Sequence, residues 1–284
     1  MARLIPALTR TLFAATLAGL PLTAAAAVDF VLDLVAEERV VALPYTVDEF
    51  ANVPIDHLRF GPERRFQDFT AEVLLGFRPD LVIVSPWQGQ DTIDRLREAG
   101  VRVLELQPVK DLEDIRALLV QLGAELGVPE HAAERLADFD RRVAALREAA
   151  KGRQSWRAVS YTNYGSGGWA AGGSTTADLI MTLVGLTNQA KLAGRMGHDA
   201  VDIETLLTWD PDWFVVSRPS DTYGATRAFL ESESALADLA CLRAGRIAEV
   251  PTNLHSTTSH FLVAAAEALA AELDAYVARG EGDR

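Results

Sequence analysis

The most constraining feature of this chain is a gapless recurrence at a separation of 132 residues. Glu72-Val-Leu-Leu-Gly-Phe-Arg-Pro-Asp-Leu-Val-Ile-Val-Ser85 is echoed by Glu204-Thr-Leu-Leu-Thr-Trp-Asp-Pro-Asp-Trp-Phe-Val-Val-Ser217. Glu72, Pro79, Asp80 and Ser85 return as Glu204, Pro211, Asp212 and Ser217. Each copy reads as a helix that stops at a Pro-Asp turn, because proline cannot continue the helical hydrogen-bond ladder, and then feeds an apolar strand. Two related lobes explain the recurrence better than coincidence between two generic helix-strand units.

The surroundings of each copy extend this reading. Val28, Val31, Leu32 and Val35 fall at helical spacing, and Arg39 to Leu43 with Pro44 reads as a short buried strand. Thr92 to Glu98 reads as a helix, Val101 to Leu106 as a strand and Leu112 to Leu126 as a helix. Such alternation implies an α/β sheet flanked by helices. From Pro129 to about Ala150, Ala133, Leu136, Phe139, Val143 and Leu146 recur at three- or four-residue steps. A helix of about 20 residues reaches about 30 Å, enough to bridge two lobes. The second lobe opens with a strand at Ala158 to Tyr161, crosses a glycine loop from Asn163 to Gly173 and enters a helix at Ser174 to Val184. That loop has the backbone freedom to receive an anion or a ligand edge, but lacks the Lys-Ser or Lys-Thr ending of a nucleotide P-loop. A tyrosine-bearing loop, a helical run around Ala225 to Leu239, a strand at Arg246 to Val250 and a helix from His260 to Ala278 follow the second copy.

At the amino end, Arg3 and Arg10 precede the apolar run Leu12 to Leu22 and the small residues Ala24 to Ala27. This is the pattern of a secretory signal peptide cut near Ala26 or Ala27, leaving a soluble exported protein. No cysteine stands near that cut to carry a lipid, and the lone Cys241 allows neither an internal disulfide nor a cysteine-rich metal cluster. The expected division is therefore a leader over 1–27, an N-terminal lobe over 28–128, an interlobe helix over 129–151 and a C-terminal lobe over 152–284. With 27 Lys and Arg against 40 Asp and Glu, the net charge of −13 disfavours a nucleic-acid partner.

Together, the leader, the paired Glu-x6-Pro-Asp units, the stretch Gly167-Gly-Trp-Ala-Ala-Gly-Gly-Ser-Thr-Thr176 and Gly185-Leu-Thr-Asn188 resemble a known family. It is the periplasmic substrate-binding proteins that deliver iron-siderophore, haem or cobalamin to ABC importers. The resemblance implies two Rossmann-like α/β lobes joined by one long rigid helix, matched by Pro129 to Ala150, with ligand held in a cleft between lobes. It implies docking onto an ABC permease dimer in the inner membrane through one surface glutamate per lobe, at Glu72 and Glu204. Opposite charge across such an interface speeds encounter and fixes orientation. It further implies a periplasmic protein, monomeric when free, with no intrinsic cofactor and a ferric chelate, haem or corrinoid as cargo. Family members begin the mature chain with a strand, whereas Val28 here follows the leader at once. The first lobe is then expected either to have lost an edge strand or to use the alanine-rich segment in another way.

Strand ends in open α/β sheets place side chains at the ligand crevice. By that rule the candidate contacts are Tyr45, Trp87, Tyr164, Trp169, Arg218, Tyr223 and His255. Aromatic faces suit a large flat or chelate-like ligand, and Arg218 suits a carboxylate or an anionic chelate oxygen. Tyr45 and His255 are residue types that serve as axial ligands of haem iron. His57, His131 and His198 show no metal-ligand spacing on one element, so no metal site of the protein's own is assigned. A hydrolase on a two-lobed scaffold is the competing class, but no Gly-x-Ser-x-Gly or His-Glu-x-x-His motif is present, and Asp80 and Asp212 read as turn residues, not paired catalytic carboxylates. The expected cargo is a ferric siderophore, with haem or cobalamin as the alternative.

Overall fold

A computed structural model of the chain describes residues 11–14, 22–55, 60–85, 88–153, 155–163, 168–218 and 226–280. The chain forms two compact α/β units. The first holds residues up to Pro108, Glu113–Leu136 and Thr257–His260; the second holds Val109–Leu112, Ala137–Ser256 and the chain from Phe261 onward.

In the first unit the parallel strands β1 (Thr11–Ala14), β2 (Val40–Pro44), β3 (Arg65–Phe66), β4 (Leu81–Val84) and β5 (Arg102–Glu105) lie in the order β3-β2-β1-β4-β5. Helices α1 (Leu22–Leu34), α2 (Val47–Phe50), α3 (Ala71–Gly76), α4 (Gln90–Glu98) and α5 (Leu112–Glu125) alternate with them. All four residues of β4 are buried, as a parallel strand covered on both faces must be. Val82 and Val84 pack with Ala42, Leu74, Ile93 and Leu96 in one apolar cluster.

Strand β1 falls within the segment that reads as a leader. Thr11 to Ala14 pair with Leu81 to Val84, while Thr11 and Leu12 pair with Val40 and Ala42 on the other side. The first lobe therefore has its first strand, and it lies in the middle of the sheet instead of at an edge. A short apolar run satisfies both a leader and a buried strand, so periodicity could not separate them. Helix α1 likewise begins at Leu22, inside the alanine-rich stretch.

Helix α1 carries two carboxylates one turn apart. Asp29, fully buried, accepts from the Asn52 backbone N–H at 2.6 Å, Asn52 Nδ2 at 2.7 Å, the Val53 N–H at 3.3 Å and Ser259 Oγ at 2.9 Å. Burial raises its pKa despite the opposing pull of these hydrogen bonds. Asp33 meets His260 Nε2 and Arg135 Nε, each at 3.1 Å. Burial pushes its pKa up, but the His260 hydrogen bond and the charges of His260, Arg135 and His131 prevail and hold it below the ordinary value. These contacts make Thr257–His260, remote in sequence, part of the first unit.

In the second unit the strands are β6 (Arg157–Asn163), β7 (Gly168–Ala171), β8 (Thr187–Asn188), β9 (His198–Val201), β10 (Trp213–Ser217) and β11 (Ile247–Val250). Their order is β11-β10-β6-β7-β9, with β8 also on β6. β11, β10, β6 and β8 run parallel; β7 is antiparallel to both β6 and β9. The accompanying helices are α6 (Pro129–Ala150), α7 (Thr176–Leu183), α8 (Gln189–Leu192), α9 (Ile203–Trp209), α10 (Thr226–Ser232), α11 (Ala240–Arg243), α12 (Thr252–His255) and α13 (Leu262–Ala278). The continuous helix α6 belongs to the first unit up to Leu136 and to the second from Ala137, the linking role expected from its place between the repeated units.

The 132-residue recurrence is a structural repeat. Thr70 and Asp202 occupy equivalent N-caps, accepting from Val73 N–H at 3.3 Å and Thr205 N–H at 2.8 Å. Arg78 and Asp210 take equivalent left-handed conformations, φ 52° and 41°, just before Pro79 and Pro211, and so end α3 and α9. Asp212 accepts the Arg157 N–H at 2.7 Å and returns its own N–H to Arg157 O at 2.8 Å, anchoring strand starts. Two segments differ from the sequence reading. The glycine loop contains strand β7, and the run from Ala225 to Leu239 breaks after α10 into a 3-10 turn at Ser234–Leu236, where Glu233 caps the Ala235 N–H at 3.1 Å.

Replacing Asp29 by Ala leaves buried donors of Asn52, Val53 and Ser259 without an acceptor, and is expected to destabilise the protein by about 3 kcal/mol. Asp29→Asn, which keeps one acceptor oxygen, should lose less. Urea denaturation midpoints at unchanged m-value measure both.

Candidate functional site

The antiparallel ladder of the second unit decides which side chains meet. Trp169 pairs with Thr162 on one side and Ala200 on the other, and Ala171 pairs with His198. Directly paired residues share a face and successive residues alternate. Ser160, Thr162, Trp169, Ala171, His198 and Ala200 therefore occupy one face; Tyr161, Asn163, Gly168, Ala170, Asp199 and Val201 occupy the other. The assignment is locked at Gly168, where a Cβ would stand 1.8 Å from Tyr161 Oη, so only glycine leaves room for the buried tyrosine ring.

On the first face, His255 comes in from the carboxyl end of α12, with Nε2 3.4 Å from Ser160 Oγ. Burial pushes its imidazole down to about 4, and the neighbouring His198 adds to the shift. Desolvation also lowers His198. The inner edge of His255 closes on Ala177, Ile180, Met181, Val215 and Val250 around a void of only about 10 Å³, too small for more than a single water. Trp169, on the same sheet face, is 45% exposed. An exposed indole with two neutral imidazoles offers apolar area and nitrogen lone pairs; neutral imidazole is the form that binds metal.

A larger cavity, about 480 Å³, opens on the opposite face between Tyr161, Asn163, Val201, Ile203 and Phe229, with Asp202 and Glu204 at its wall. Two carboxylates there suit a cation and oppose an anionic chelate. Size alone does not select the site.

The remaining candidates separate. Tyr45, 49% exposed, follows β2 in the first unit and donates its backbone N–H to Phe66 O at 3.0 Å. Arg218 follows β10, but its guanidinium contacts the Glu249 carbonyl and Glu272, each at 3.3 Å. Trp87, Tyr164 and Tyr223 lie outside the described residues, as does His57. Glu72 and Glu204 are exposed in the first turns of α3 and α9, where the helix dipole also favours them. His198 had no recognisable signal, because its neighbourhood with His255 exists only through strand register. Among the described residues, no group of three or more His, Cys, Asp or Glu side chains is placed to hold a metal ion, and no helix is long and apolar enough to cross a membrane.

The chain thus has two α/β units with helix α6 divided between them, and the aromatic and imidazole surface belongs to the second. The family model "Periplasmic binding protein" matches residues 34–254, and the chain belongs to that family. Among solved structures, the periplasmic heme-binding protein BhuT in complex with two hemes is 24% identical, with a TM-score of 0.78 over 95% of this chain and 99% of that one. A periplasmic heme-binding protein from Pseudomonas aeruginosa is 26% identical, with a TM-score of 0.74 over 93% and 91%. A cobalamin-binding protein of Halobacterium salinarum is 26% identical over 184 residues, 64% of this chain. The present chain spans about half the length of that curated relative.

His255 predicts a pH signature. Its native pKa of about 4 lies below the ordinary 6.5, so between these values the unfolded chain binds the proton and the native state does not. Stability is retained above about pH 6.5 and lost as pH falls toward 4, by roughly 2–3 kcal/mol. His255→Gln should flatten this loss; equal slopes of stability against pH in both proteins would contradict the assignment.

Proposed function

We propose that the cargo is a metal-bearing tetrapyrrole, haem or a corrinoid, in place of the ferric siderophore that the sequence favours. The observation that carries this reading is the exposed Trp169 on one sheet face with His198 and His255. An indole face covers a macrocycle, and an uncharged imidazole can approach its metal; an iron already saturated by siderophore oxygens needs no protein nitrogen. The names of the heme- and cobalamin-binding relatives support the same class. Tyr45, 49% exposed in the first unit, stays a candidate ligand contact. Arg218, occupied by Glu272 and the Glu249 carbonyl, would have to exchange those partners for a ligand carboxylate.

Titration with haemin, cyanocobalamin and ferric siderophores, followed by absorbance and tryptophan fluorescence, tests the proposal. Saturable binding of haemin or cyanocobalamin is expected, and binding of the ferric siderophore alone would overturn it. Trp169→Ala should weaken the tetrapyrrole about tenfold through lost apolar contact. His198→Ala and His255→Ala should alter the spectrum of the bound metal.

In the proposed cycle the loaded carrier docks on its permease through Glu72 and Glu204. Both stand exposed at equivalent places in the repeated unit, one in each α/β unit. The double variant Glu72→Lys, Glu204→Lys is expected to abolish uptake while cargo affinity stays unchanged. Unimpaired uptake, or lost affinity, would remove the docking role.

A further inference from the structure

We infer that the cargo is a corrinoid, whose rim carries uncharged carboxamides, and that haem, whose rim carries two propionates, is disfavoured by charge. This rests on the tetrapyrrole reading and carries it from the macrocycle to its peripheral groups.

The pairing of cations in the second unit is the first observation. From Arg157 to His255, the span that holds every strand of its sheet, there are seven Lys and Arg against eleven Asp and Glu. All seven are engaged within the protein. Lys191 meets Asp178 at 2.8 Å, Arg195 meets Asp199 at 2.6 Å, Arg218 meets Glu272 at 3.3 Å and Arg227 meets Glu231 at 2.8 Å. The other three hold Asp212, Asp238 and the Tyr276 hydroxyl. A carboxylate in a binding site is normally met by an Arg or Lys donor. Each propionate would have to break one of these pairs or stay unpaired where water is partly excluded, and both are costly. A carboxamide needs no cation, because it brings its own donors and acceptor.

The cavity of about 480 Å³ adds a bias of the same sign. Asp202 and Glu204 stand on its wall, and no Lys or Arg is among the described residues that line it. Asp202 accepts the Thr205 N–H at 2.8 Å, whereas the Glu204 carboxylate has no hydrogen-bond or ion-pair partner among the described residues. The cavity and the Trp169 face meet at the strand ends. Gly168, Asn163 and Val201 line the cavity, and their chain neighbours Trp169, Thr162 and Ala200 form a paired row on the other face. A macrocycle resting on the Trp169 indole has its support one strand residue, about 3.4 Å, from residues that line the cavity. Carboxylates on its rim meet like charge there, within the Debye length of about 10 Å at 0.1 M salt. Amide N–H groups on the rim meet carboxylate acceptors instead.

The test compares ligands that share one macrocycle and one metal. Dicyanocobinamide carries carboxamides where dicyanocobyrinic acid carries carboxylates, so the ratio of their affinities reads the charge of the rim. Both are titrated into the whole chain beside cyanocobalamin and haemin, followed by absorbance and tryptophan fluorescence. Dicyanocobinamide should bind at least about tenfold more tightly than dicyanocobyrinic acid, and cyanocobalamin at least about tenfold more tightly than haemin. Raising NaCl from about 0.05 M to about 0.5 M should shrink the corrinoid ratio at least about threefold through screening. Asp202→Asn keeps an N-cap acceptor for Thr205 and should shrink the same ratio at low salt. Equal affinities for the two corrinoids, or tighter binding of haemin, would overturn the inference and leave the tetrapyrrole reading standing. Binding of none of the four would overturn both. A ratio that neither salt nor Asp202→Asn changes would overturn discrimination by charge.

Discussion

The register of the β6-β7-β9 ladder is the constraint on which the rest of the site depends. A slip of one residue would send Trp169 and His198 to the face that now carries Tyr161 and Val201. Gly168 leaves the space under the Tyr161 ring open, and a shift that brought Trp169 to that position would fill the space of the phenol. Once the register holds, period-two alternation leaves Trp169 exposed on the face that carries His198. The other face receives the Tyr161 ring, packed edge-on against Phe214 at 6.2 Å between centroids. A packing requirement on one side of the sheet thereby determines the chemistry on the other.

Desolvation acts at both chemically distinctive places in the molecule, with opposite signs. It raises Asp29 and lowers His255, because in each case burial disfavours the charged form. At Asp29 several donors compensate, and the group serves as a structural node that gathers α1, Asn52 and the returning segment at Ser259. At His255 the Ser160 hydroxyl lies 3.4 Å from Nε2, and the ring stays neutral across the physiological range. The first arrangement spends its hydrogen bonds on stability. The second keeps its imidazole neutral, the form that binds metal.

Much of the fold was legible in the chain. Helix α6 starts and ends where its apolar periodicity does, and the repeated Pro-Asp units correspond in their N-caps, their left-handed residues and the strands that follow. Those features are local: a proline, a capping hydroxyl or carboxylate, and three- to four-residue spacing act within one or two turns. β7 escaped the same reading because Gly-Trp-Ala-Ala has little strand propensity of its own and is held by its neighbours. β1 escaped because an apolar run beside arginines satisfies two patterns equally well. Arg218 was chosen for its charge at a strand end, and the chain could not reveal that Glu272, on a helix 54 residues away, would answer it.

The sequence by itself determined that this chain builds two related α/β units, places a long helix across their boundary and repeats an exposed glutamate at one equivalent position in each. These follow from short-range hydrogen bonding and from periodic burial, which a linear pattern records. Only the tertiary structure decided that His198 and His255 are neighbours, that Trp169 shares a sheet face with His198 and that Ser259 returns to Asp29. Such meetings depend on strand register and on contacts between residues tens to hundreds of positions apart, and no local pattern encodes which of the many possible long-range pairings closes the core.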